Sequence, residues 1–253
     1  MFLEPQKVIL GFNKNSIFTN LDKNFDFVST TQTYPLNISL KDIHNQLVDI
    51  KFNNFYQGVG GNLNRNSALE EARLIPFNLI YYNLFLQEQT IPTPHKITCE
   101  YILRFCTESK VKKHCYKLSE KYKLLGFSSP TFSVDELAAR IGRAYNSFNR
   151  EVELCFRLFQ EENLNVKYSF KQDYYNGIDL SVLKRNRYWG IACYQNTIKA
   201  EAYKYLKETS RRNNYISGSM INLAIDAKNH DNCGEIWIYS EKEYNKLLAE
   251  LNK

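Results

Sequence analysis

The sequence has no apolar run long enough to cross a bilayer, and this lack argues against an integral membrane protein. A membrane-spanning helix needs roughly 20 consecutive apolar residues, but the longest apolar stretch, around Leu74–Leu86, is broken by a proline and two asparagines. The amino terminus carries Glu4 and Pro5 where a signal peptide needs a basic and then an apolar run. We therefore expect a soluble, cytoplasmic protein without membrane partners.

Closely paired cysteines are also lacking. The six cysteines show no Cys-x-x-Cys spacing, whereas structural zinc sites draw their ligands in close pairs from tight turns. The candidate ligands His95, Cys99, Cys106, His114 and Cys115 lie along a predicted helical stretch instead. We interpret the cysteines as reduced, half-buried apolar residues.

Glycine is scarce, with 10 residues in 253, and its cluster within Gln57–Asn62 carries no nucleotide-binding motif. It has neither the Gly-Lys-Ser/Thr ending of a phosphate loop nor a Gly-x-Gly-x-x-Gly spacing. Its position ahead of a predicted helix would let backbone N–H groups bind a phosphate. A flexible turn is the simpler interpretation.

Basic residues, in contrast, exceed acidic ones by 33 to 27, which gives a net charge of +6 and a pI of about 8.8. A hydrophobic content of 43% and an aromatic content of 14% suffice for a packed core. The basic excess suits a polyanionic partner such as nucleic acid. Codon bias in an AT-rich genome would produce the same composition, so the charge alone does not establish a nucleic-acid partner.

The first region, residues 1–126, is predicted to be β-rich and then helical. Apolar patterning predicts strands at Lys7–Phe12, Asn37–Leu40 and Gln46–Phe52. Two helical regions follow, from the capping box at Ser67 towards Gln87 and over Ile97–Leu125. The second is lysine-rich, which suits either contact with a phosphate backbone or a solvated helix face.

The second region, residues 132–253, follows a predicted hinge at 126–131 and has a regular order of elements. A capping box at Ser133 opens a long amphipathic helix with one apolar face and a charged opposite side. Three strands follow it, at Asn165–Lys171, Gly177–Leu183 and Tyr188–Asn196. A basic helix (Ile198–Arg212) and a fourth strand that ends at Ala224–Lys228 come next. Ser240 is predicted to cap a terminal helix.

Asp179 is the first candidate for chemistry. Alternation along Gly177–Leu183 puts Ile178, Leu180 and Val182 on one face and Asp179 on the other. An unpaired carboxylate is costly to bury among aliphatic side chains, so a compensating group should be near. A metal ligand and a cap on the preceding turn are the two interpretations.

A helix, three strands, a helix and a strand, with a lone acid among aliphatics on the second strand, resembles the PD-(D/E)XK nuclease superfamily, which includes restriction endonucleases. The resemblance covers the last half of the chain. It implies an α/β fold (α+β overall), with a restriction-endonuclease-like αβββαβ core after the N-terminal region. The implied function is a Mg²⁺-dependent DNA endonuclease of type II restriction-enzyme kind. Double-stranded DNA is the implied partner, residues 1–126 would supply recognition or dimer contacts, and a homodimer is compatible.

The family places an Asp on the second strand and an acid-x-Lys pair on the third. Asp179 fills the first position, whereas the acid and lysine positions hold Cys193 and Gln195, or Ala192 and Tyr194 if the register slips. Glutamine replaces the lysine in some restriction enzymes, but cysteine is a poor ligand for a hard cation. The resemblance therefore implies a site that is either degenerate or completed from elsewhere.

Asp226 and Lys228 offer that completion, because they have the acid-x-Lys form at the end of the fourth strand. After a helical crossover the third and fourth strands run parallel, so their carboxyl ends lie at one edge. Asp179 and Asp226 would then hold Mg²⁺, with Lys228 or a helix lysine assisting and Glu153 or Glu151 reaching in from the first core helix. The alternative is that Asp226 and Lys228 belong to a solvated turn.

Two further groups have a functional and a plain interpretation. Lys199, Tyr203, Lys207 and Arg211 are spaced by four along the basic helix, which suits either contact with a nucleic-acid backbone or a solvated surface. His230, in the turn before the last strand, is either a general base or a surface histidine.

Three other functions fit the same residues. A catalytically degenerate nuclease-fold protein that binds DNA without cleaving it is favoured by Cys193 and Gln195. An RNA-directed nuclease or toxin would use the same fold. A metal-free base-removing enzyme with His230 and a tyrosine is the third.

Overall fold

A computed structural model describes part of the chain, and the described residues belong to two compact units. The described ranges are 8–9, 33–34, 38–51, 77–101, 134–168, 173, 177–196, 219–226 and 228–253. Residues up to 50 and from 149 onwards fall in the first unit, and residues 51, 77–101 and 134–148 fall in the second. In these ranges no helix is both long and apolar enough to cross a membrane.

The chain is a mixed α/β protein, which confirms the fold class at the level of α+β. The described helices are α1 (Leu40–Asp49), α2 (Phe77–Glu88), α3 (Pro94–Tyr101), α4 (Val134–Gln160) and α5 (Glu241–Leu251). The described strands are β1 (Val8–Ile9), β2 (Thr33–Tyr34), β3 (Asn165–Lys167), β4 (Leu180–Lys184), β5 (Arg187–Gln195), β6 (Ser219–Ile225), β7 (Asp231–Cys233) and β8 (Ile236–Ile238).

The first unit contains a mixed sheet of four strands in the order β3-β4-β5-β6. Strand β4 is antiparallel to β3 and to β5, whereas β5 and β6 are parallel, with Gln195 beside Ile225. The predicted parallel pairing of the third and fourth core strands is therefore confirmed. A parallel pair needs a crossover connection, and the predicted basic helix Ile198–Arg212 lies outside the described residues.

Helix α4 is buried on every side along its C-terminal half. Residues 149–158 are all buried, and four of them are charged: Arg150, Glu151, Glu153 and Arg157 are 1–7% exposed. The charged side that the sequence suggested is therefore inside the protein. A charge taken out of water needs a partner, so these side chains define the polar interior of the unit.

Helix α1 replaces two of the predicted strands, so the predictions at Asn37–Leu40 and Gln46–Phe52 were wrong over the helical residues. Ser39 and Asp42 form a capping box: the Ser39 hydroxyl accepts the backbone N–H of Asp42, and the Asp42 carboxylate accepts that of Ser39. Ile43 and Leu47, four residues apart, are fully buried. Helical spacing and the cap together override the apparent alternation.

Strands β7 and β8 form a hairpin where the sequence predicted a turn followed by a strand. Gly234 turns it with a positive φ of +62°, and a methyl group there would lie 2.8 Å from the Leu47 carbonyl oxygen. The Cys233 thiol donates to the His44 carbonyl oxygen at 3.3 Å. Only glycine allows hairpin and helix α1 to approach this closely.

The second unit is built on aromatic packing between α2 and the N-terminal half of α4. The ring of Tyr81 lies 6.1 Å from that of Tyr145 and 5.2 Å from that of Phe148. Helix α3 joins through a contact of 5.0 Å between the rings of Phe77 and Tyr101. The chain changes unit within α4, whereas the sequence predicted a boundary at 126–132; the roles assigned to the two predicted domains stay predictions.

Arg157 holds helix α5 against α4 in the first unit. Its guanidinium donates to the Tyr239 carbonyl oxygen at 3.4 Å, pairs with Glu161 at 3.0 Å, and also contacts Glu241. It lies 3.8 Å from the centre of the Tyr244 ring. The buried side chain of Arg157 thus links helix α4, the end of strand β8 and the terminal helix α5.

We expect Arg157→Ala to lower the free energy of unfolding by about 3 kcal/mol, because removing one partner of a buried pair costs about 3–5 kcal/mol and the carboxylates here are partly exposed. For a chain of this size that corresponds to a fall in Tm of about 6–12 °C. Urea unfolding followed by circular dichroism measures it. The control is Arg185→Ala at an exposed turn, expected to change stability by about 0.5 kcal/mol or less. Equal losses in both variants would contradict the assignment.

Candidate active site

The sheet brings several candidate residues to one edge. Strand β3 ends where β4 begins, because the two are antiparallel, and β5 and β6 end side by side. We call this the upper edge. The residues at it are Tyr168, Asp179, Gln195 and Asp226.

Asp179 lies in a bend just before β4 and is fixed to β5 twice. Its backbone N–H donates to the Ile191 carbonyl oxygen at 2.9 Å. Its carboxylate Oδ2 accepts the backbone N–H of Cys193 at 2.6 Å, a short bond of the kind that a charged acceptor makes. Backbone and carboxylate are therefore both oriented before any ligand binds.

The bend at Asp179 breaks the predicted alternation, so the placement of Ile178 on the face of Leu180 was wrong. A methyl group on Gly190 would lie 3.1 Å from Ile178 Cδ1, whereas Leu180 pairs with Ile191. Since neighbouring residues of a strand point to opposite faces, Ile178 and Leu180 are on different faces. The bend allows the Asp179 carboxylate to reach β5.

Two more carboxylates accompany Asp179. Burial raises the pKa of Tyr168 well above its usual value, and the negative charges of Asp173, Glu151 and Asp179 raise it further. The Tyr168 hydroxyl donates to Asp173 Oδ2 at 3.1 Å. We call Glu151, Asp173 and Asp179 the acidic group; Glu151 comes from helix α4 and is 5% exposed.

Cys193 occupies the acid position of the third core strand, beside the acidic group. Burial and then the charges of Asp179 and Glu151 raise the pKa of its thiol well above the usual value, and a hydrogen bond with Tyr239 offsets this only in part. The thiol is therefore neutral at ordinary pH. A neutral thiol does not compete for a hard cation, which prefers oxygen.

Arg150 brings a positive charge to this environment. It is 5% exposed, and its guanidinium carbon lies 5.7 Å from the centre of the Tyr239 ring. Burial raises the pKa of Tyr239 well above its usual value, and the charge of Arg150 lowers it in part. The Tyr239 hydroxyl donates to the Leu223 carbonyl oxygen at 3.3 Å, so the ring under the guanidinium is fixed to β6.

Glu153 faces away from this group. Its Oε1 lies 3.1 Å from His44 Nε2 on helix α1, and Glu153 itself is 1% exposed. Residues two apart on a helix point roughly 200° apart, which separates Glu153 from Glu151. Of the two glutamates that the sequence offered, Glu153 pairs with His44, whereas the charge of Glu151 acts together with that of Asp179 on Tyr168 and Cys193.

Asp226 closes the turn after β6. Its Oδ1 accepts the backbone N–H of Lys228 at 2.9 Å, and its Oδ2 accepts the Asn229 side-chain amide at 2.7 Å. These hydrogen bonds, first that of Lys228 and then that of Asn229, lower the pKa of Asp226. Its own N–H donates to Glu243 at 2.8 Å. This is the geometry of the strand-end turn, the second interpretation of Asp226 and Lys228.

The structure does not bring Asp226 to Asp179. Strand β5 lies between them, and the register puts Asp179 level with Ala192 and Asp226 level with Asn196. Two strand spacings across the sheet and four residues along it separate their backbones by about 16 Å. Asp226 also directly follows the fully buried Ile225. Because neighbouring residues of a strand point to opposite faces, the side chain of Asp226 points to the face opposite to that of Ile225. In the described parts of the chain no three His, Cys, Asp or Glu side chains are grouped to hold a metal ion. The Mg²⁺ site shared by Asp179 and Asp226 stays a prediction.

Of the remaining candidate site residues, some lie at the surface and others lie outside the described residues. Gln195 is exposed at the end of β5. His230 stacks on Trp237 with ring centres 4.2 Å apart, and its Nδ1 lies 3.3 Å from the Asp226 carbonyl oxygen. The predicted nucleic-acid-binding stripe lies outside the described residues: Lys199, Tyr203, Lys207 and Arg211.

The sequence analysis missed three members of this environment. Tyr168 and Tyr239 are fully buried tyrosines, and Asp173 follows β3 by six residues. Tyr168 directly follows β3 and Tyr239 directly follows β8, so a tyrosine at a strand end was the only available signal. Nothing local in the sequence connects these residues to Asp179.

No protein-family model, no curated protein and no solved structure matches this chain. The geometry at the upper edge is thus the basis for a functional interpretation.

Proposed function

We propose that this protein is a Mg²⁺-dependent DNA endonuclease of restriction-enzyme type, with Asp179 and Glu151 at its active site. The observation that carries the proposal is the Asp179 carboxylate, which accepts the Cys193 N–H at 2.6 Å at the upper edge, while the charge of Glu151 acts on the same Cys193 side chain. The order α4, β3, β4, β5, β6, with β5 and β6 parallel, supports it, because a restriction-endonuclease-like core has this order.

The carboxylate pair fits the chemistry of the ion. Mg²⁺ is usually held by one or two protein carboxylates and completes its coordination with water and substrate phosphate oxygens. Asp179 and Glu151 supply two such groups from different elements. When bound, the ion would polarise the phosphoryl oxygen and activate a water molecule for attack.

The chain's own residues would prepare this chemistry. The N–H of Cys193 orients the Asp179 carboxylate, and burial of α4 restricts Glu151. Gln195 and Lys228 are exposed near the same edge, where they can contact the phosphates of bound DNA. The basic stripe on the predicted crossover helix would add backbone contacts, and counterion release would supply affinity.

Plasmid DNA tests the proposal directly. We expect cleavage in Mg²⁺, none in EDTA, and a rate about 10–100-fold lower for Glu151→Gln, since the variant keeps the size but not the charge of the ligand. Glu162→Gln, just beyond the end of α4, is the matched control. Cleavage that persists in EDTA, or an unchanged rate for Glu151→Gln, would exclude this site.

A second candidate is a nuclease-fold protein that binds DNA without cleaving it. Cys193 and Gln195 favour it, because they stand in the acid and lysine positions of β5. It predicts DNA binding that weakens with salt and no cleavage in Mg²⁺ or Mn²⁺. Offering RNA in the same assay distinguishes an RNA-directed nuclease.

A further inference from the structure

The β4–β5 hairpin ends in a tight turn that holds an arginine in an unfavourable backbone conformation. Arg185 and Asn186 connect the two strands with φ values of +50° and +60°, and two positive φ values are what the common two-residue hairpin turn requires. Asparagine adopts this left-handed conformation readily, whereas arginine does so only at a cost. Asparagine, aspartate or glycine is the usual residue at the position of Arg185, so the arginine lowers the stability of its own turn.

The charges at this turn are also unfavourable to the fold. Lys184 and Arg187 are directly opposite each other in the register of β4 and β5, and like charges at such positions destabilise a sheet. The Arg185 guanidinium donates to the Asn252 carbonyl oxygen at 3.3 Å, and that of Arg187 donates to the Ser219 hydroxyl, so both partners are neutral. In the part of the chain that the structure describes, none of the three cations forms an ion pair. We call Lys184, Arg185 and Arg187 the cationic turn.

An exposed aromatic ring adjoins the cationic turn. Tyr188 directly follows Arg187, is 48% exposed, and is paired with Leu183 across the hairpin. Met220 on β6 is 37% exposed, and a methyl group on Gly190 would lie 2.6 Å from its sulfur atom, so its side chain is on the face of Gly190. Residues two apart on a strand share a face, which puts Tyr188 on this face as well. We call Leu183, Tyr188 and Met220 the tyrosine platform.

We propose that the cationic turn and the tyrosine platform together bind single-stranded nucleic acid. The three cations contact phosphates, which relieves the repulsion between Lys184 and Arg187, and the ring of Tyr188 stacks on an unpaired base. Proteins that bind single strands without sequence preference combine basic groups along the backbone with exposed aromatic rings in this way. A duplex keeps its bases stacked inside and offers no base to Tyr188, so the exposed ring favours the single strand.

This site is separate from the upper edge. Strand β5 is nine residues long, so the eight steps from Arg187 to Gln195 place the cationic turn about 26 Å from the end of the strand. The site therefore goes beyond the proposed nuclease and does not depend on it. A strand held there need not be the strand that the upper edge would cut.

Binding of a labelled oligothymidylate of about 15 nucleotides, measured by fluorescence anisotropy in EDTA, tests the cationic turn without metal or cleavage. We expect Arg185→Asn to weaken binding about fivefold at about 0.1 M salt and to make the dependence of log affinity on log salt less steep by about 0.7, the loss of one phosphate contact. The same variant should raise Tm by about 2–4 °C, because asparagine suits the turn. Weaker binding together with a lower Tm would indicate a damaged hairpin and would overturn the proposal.

The matched control is Lys242→Gln, which removes one exposed positive charge at the opposite end of α5 from Asn252. We expect its affinity for the oligonucleotide to stay within about twofold of the wild type, because it makes no phosphate contact at this site. Equal losses in Lys242→Gln and Arg185→Asn would mean that only net charge matters, and would overturn the site.

Two substitutions of Tyr188 test the tyrosine platform. Tyr188→Phe keeps an aromatic ring and should bind within about twofold of the wild type, whereas Tyr188→Leu should bind about tenfold more weakly with an unchanged salt dependence, because stacking and not charge is lost. A duplex of the same length should also bind about tenfold more weakly. Equal binding of the duplex, equal affinities of the two variants, or equally tight binding to vesicles of phosphatidylserine and phosphatidylcholine would each overturn the proposal.

The outcomes for this site and for the proposed nuclease are distinguishable. If the oligonucleotide responds as expected and plasmid DNA is not cut in Mg²⁺, the single-strand site stands and the nuclease proposal fails. If plasmid DNA is cut while Arg185→Asn and Tyr188→Leu bind the oligonucleotide like the wild type, the single-strand site is overturned and the nuclease stands.

Discussion

Asp179→Asn is expected to slow Mg²⁺-dependent cleavage severely and to leave the fold intact. The asparagine amide oxygen can still accept the Cys193 N–H that Asp179 now accepts at 2.6 Å, so the attachment of the bend to β5 survives. The negative charge that would attract the ion is lost. Metal catalysis contributes several kcal/mol to transition-state stabilisation, so the cleavage rate should fall by about 10²–10³-fold.

Cleavage of plasmid DNA under single-turnover conditions measures this effect, and thermal unfolding verifies the fold. Asp231→Asn, at an exposed position of β7, is the control for loss of one negative charge. Asp226→Asn distinguishes a role of Asp226 as a metal ligand from its role as a cap of the turn after β6. A loss as large as that of Asp179→Asn would put Asp226 back at the ion, whereas the turn geometry predicts a smaller one.

Cys193→Asp is expected to make the stability of the protein depend on Mg²⁺. The thiol lies where Asp179 and Glu151 already act on it, so a carboxylate there adds a like charge to a buried site. Without metal we expect a loss of about 2–4 kcal/mol, or about 4–16 °C in Tm. Mg²⁺ should recover much of it and raise cleavage about tenfold, because the third core strand then supplies an acid.

Cys193→Ser is the matched control, since it has a similar size and no charge. Thermal unfolding with Mg²⁺ and with EDTA measures the difference between the two variants. The repulsion raises the pKa of the new carboxyl group, so its penalty should grow as pH rises through that range and shrink in acid. A Cys193→Asp protein whose Tm does not respond to Mg²⁺ would contradict a metal site at this position.

Local sequence patterns were sufficient to predict those helices, strands and caps that are determined by neighbouring residues in the chain. The period of α4, the strands β4 and β5 and the cap at Ser240 were all predicted, and the structure shows that this cap is a capping box with Glu243. Helix α1 was missed although Ser39 and Asp42 are visible as a cap. Short apolar runs satisfy strand and helix periods alike, and the tertiary burial of Ile43 decides between them.

The site was less predictable because it depends on long-range geometry. A lone acid among aliphatics identified Asp179 as a candidate. No pattern distinguishes Glu151 from Glu153, since both are buried and only their different neighbours separate them. Asp226 has the same sequence signature as a ligand and as a turn cap, and its two turn hydrogen bonds become visible only in three dimensions.

The docking of α1 on the β7–β8 hairpin determines the order in which the first unit can be completed. The Cys233 thiol and the His44 carbonyl are 189 residues apart in the chain, and Gly234 must come close to Leu47. On the ribosome, Ile43 and Leu47 emerge long before the surface that covers them. Contacts this distant in sequence slow folding, so the nascent chain presents an uncovered apolar helix through most of its synthesis, a state in which chaperones have a natural binding site.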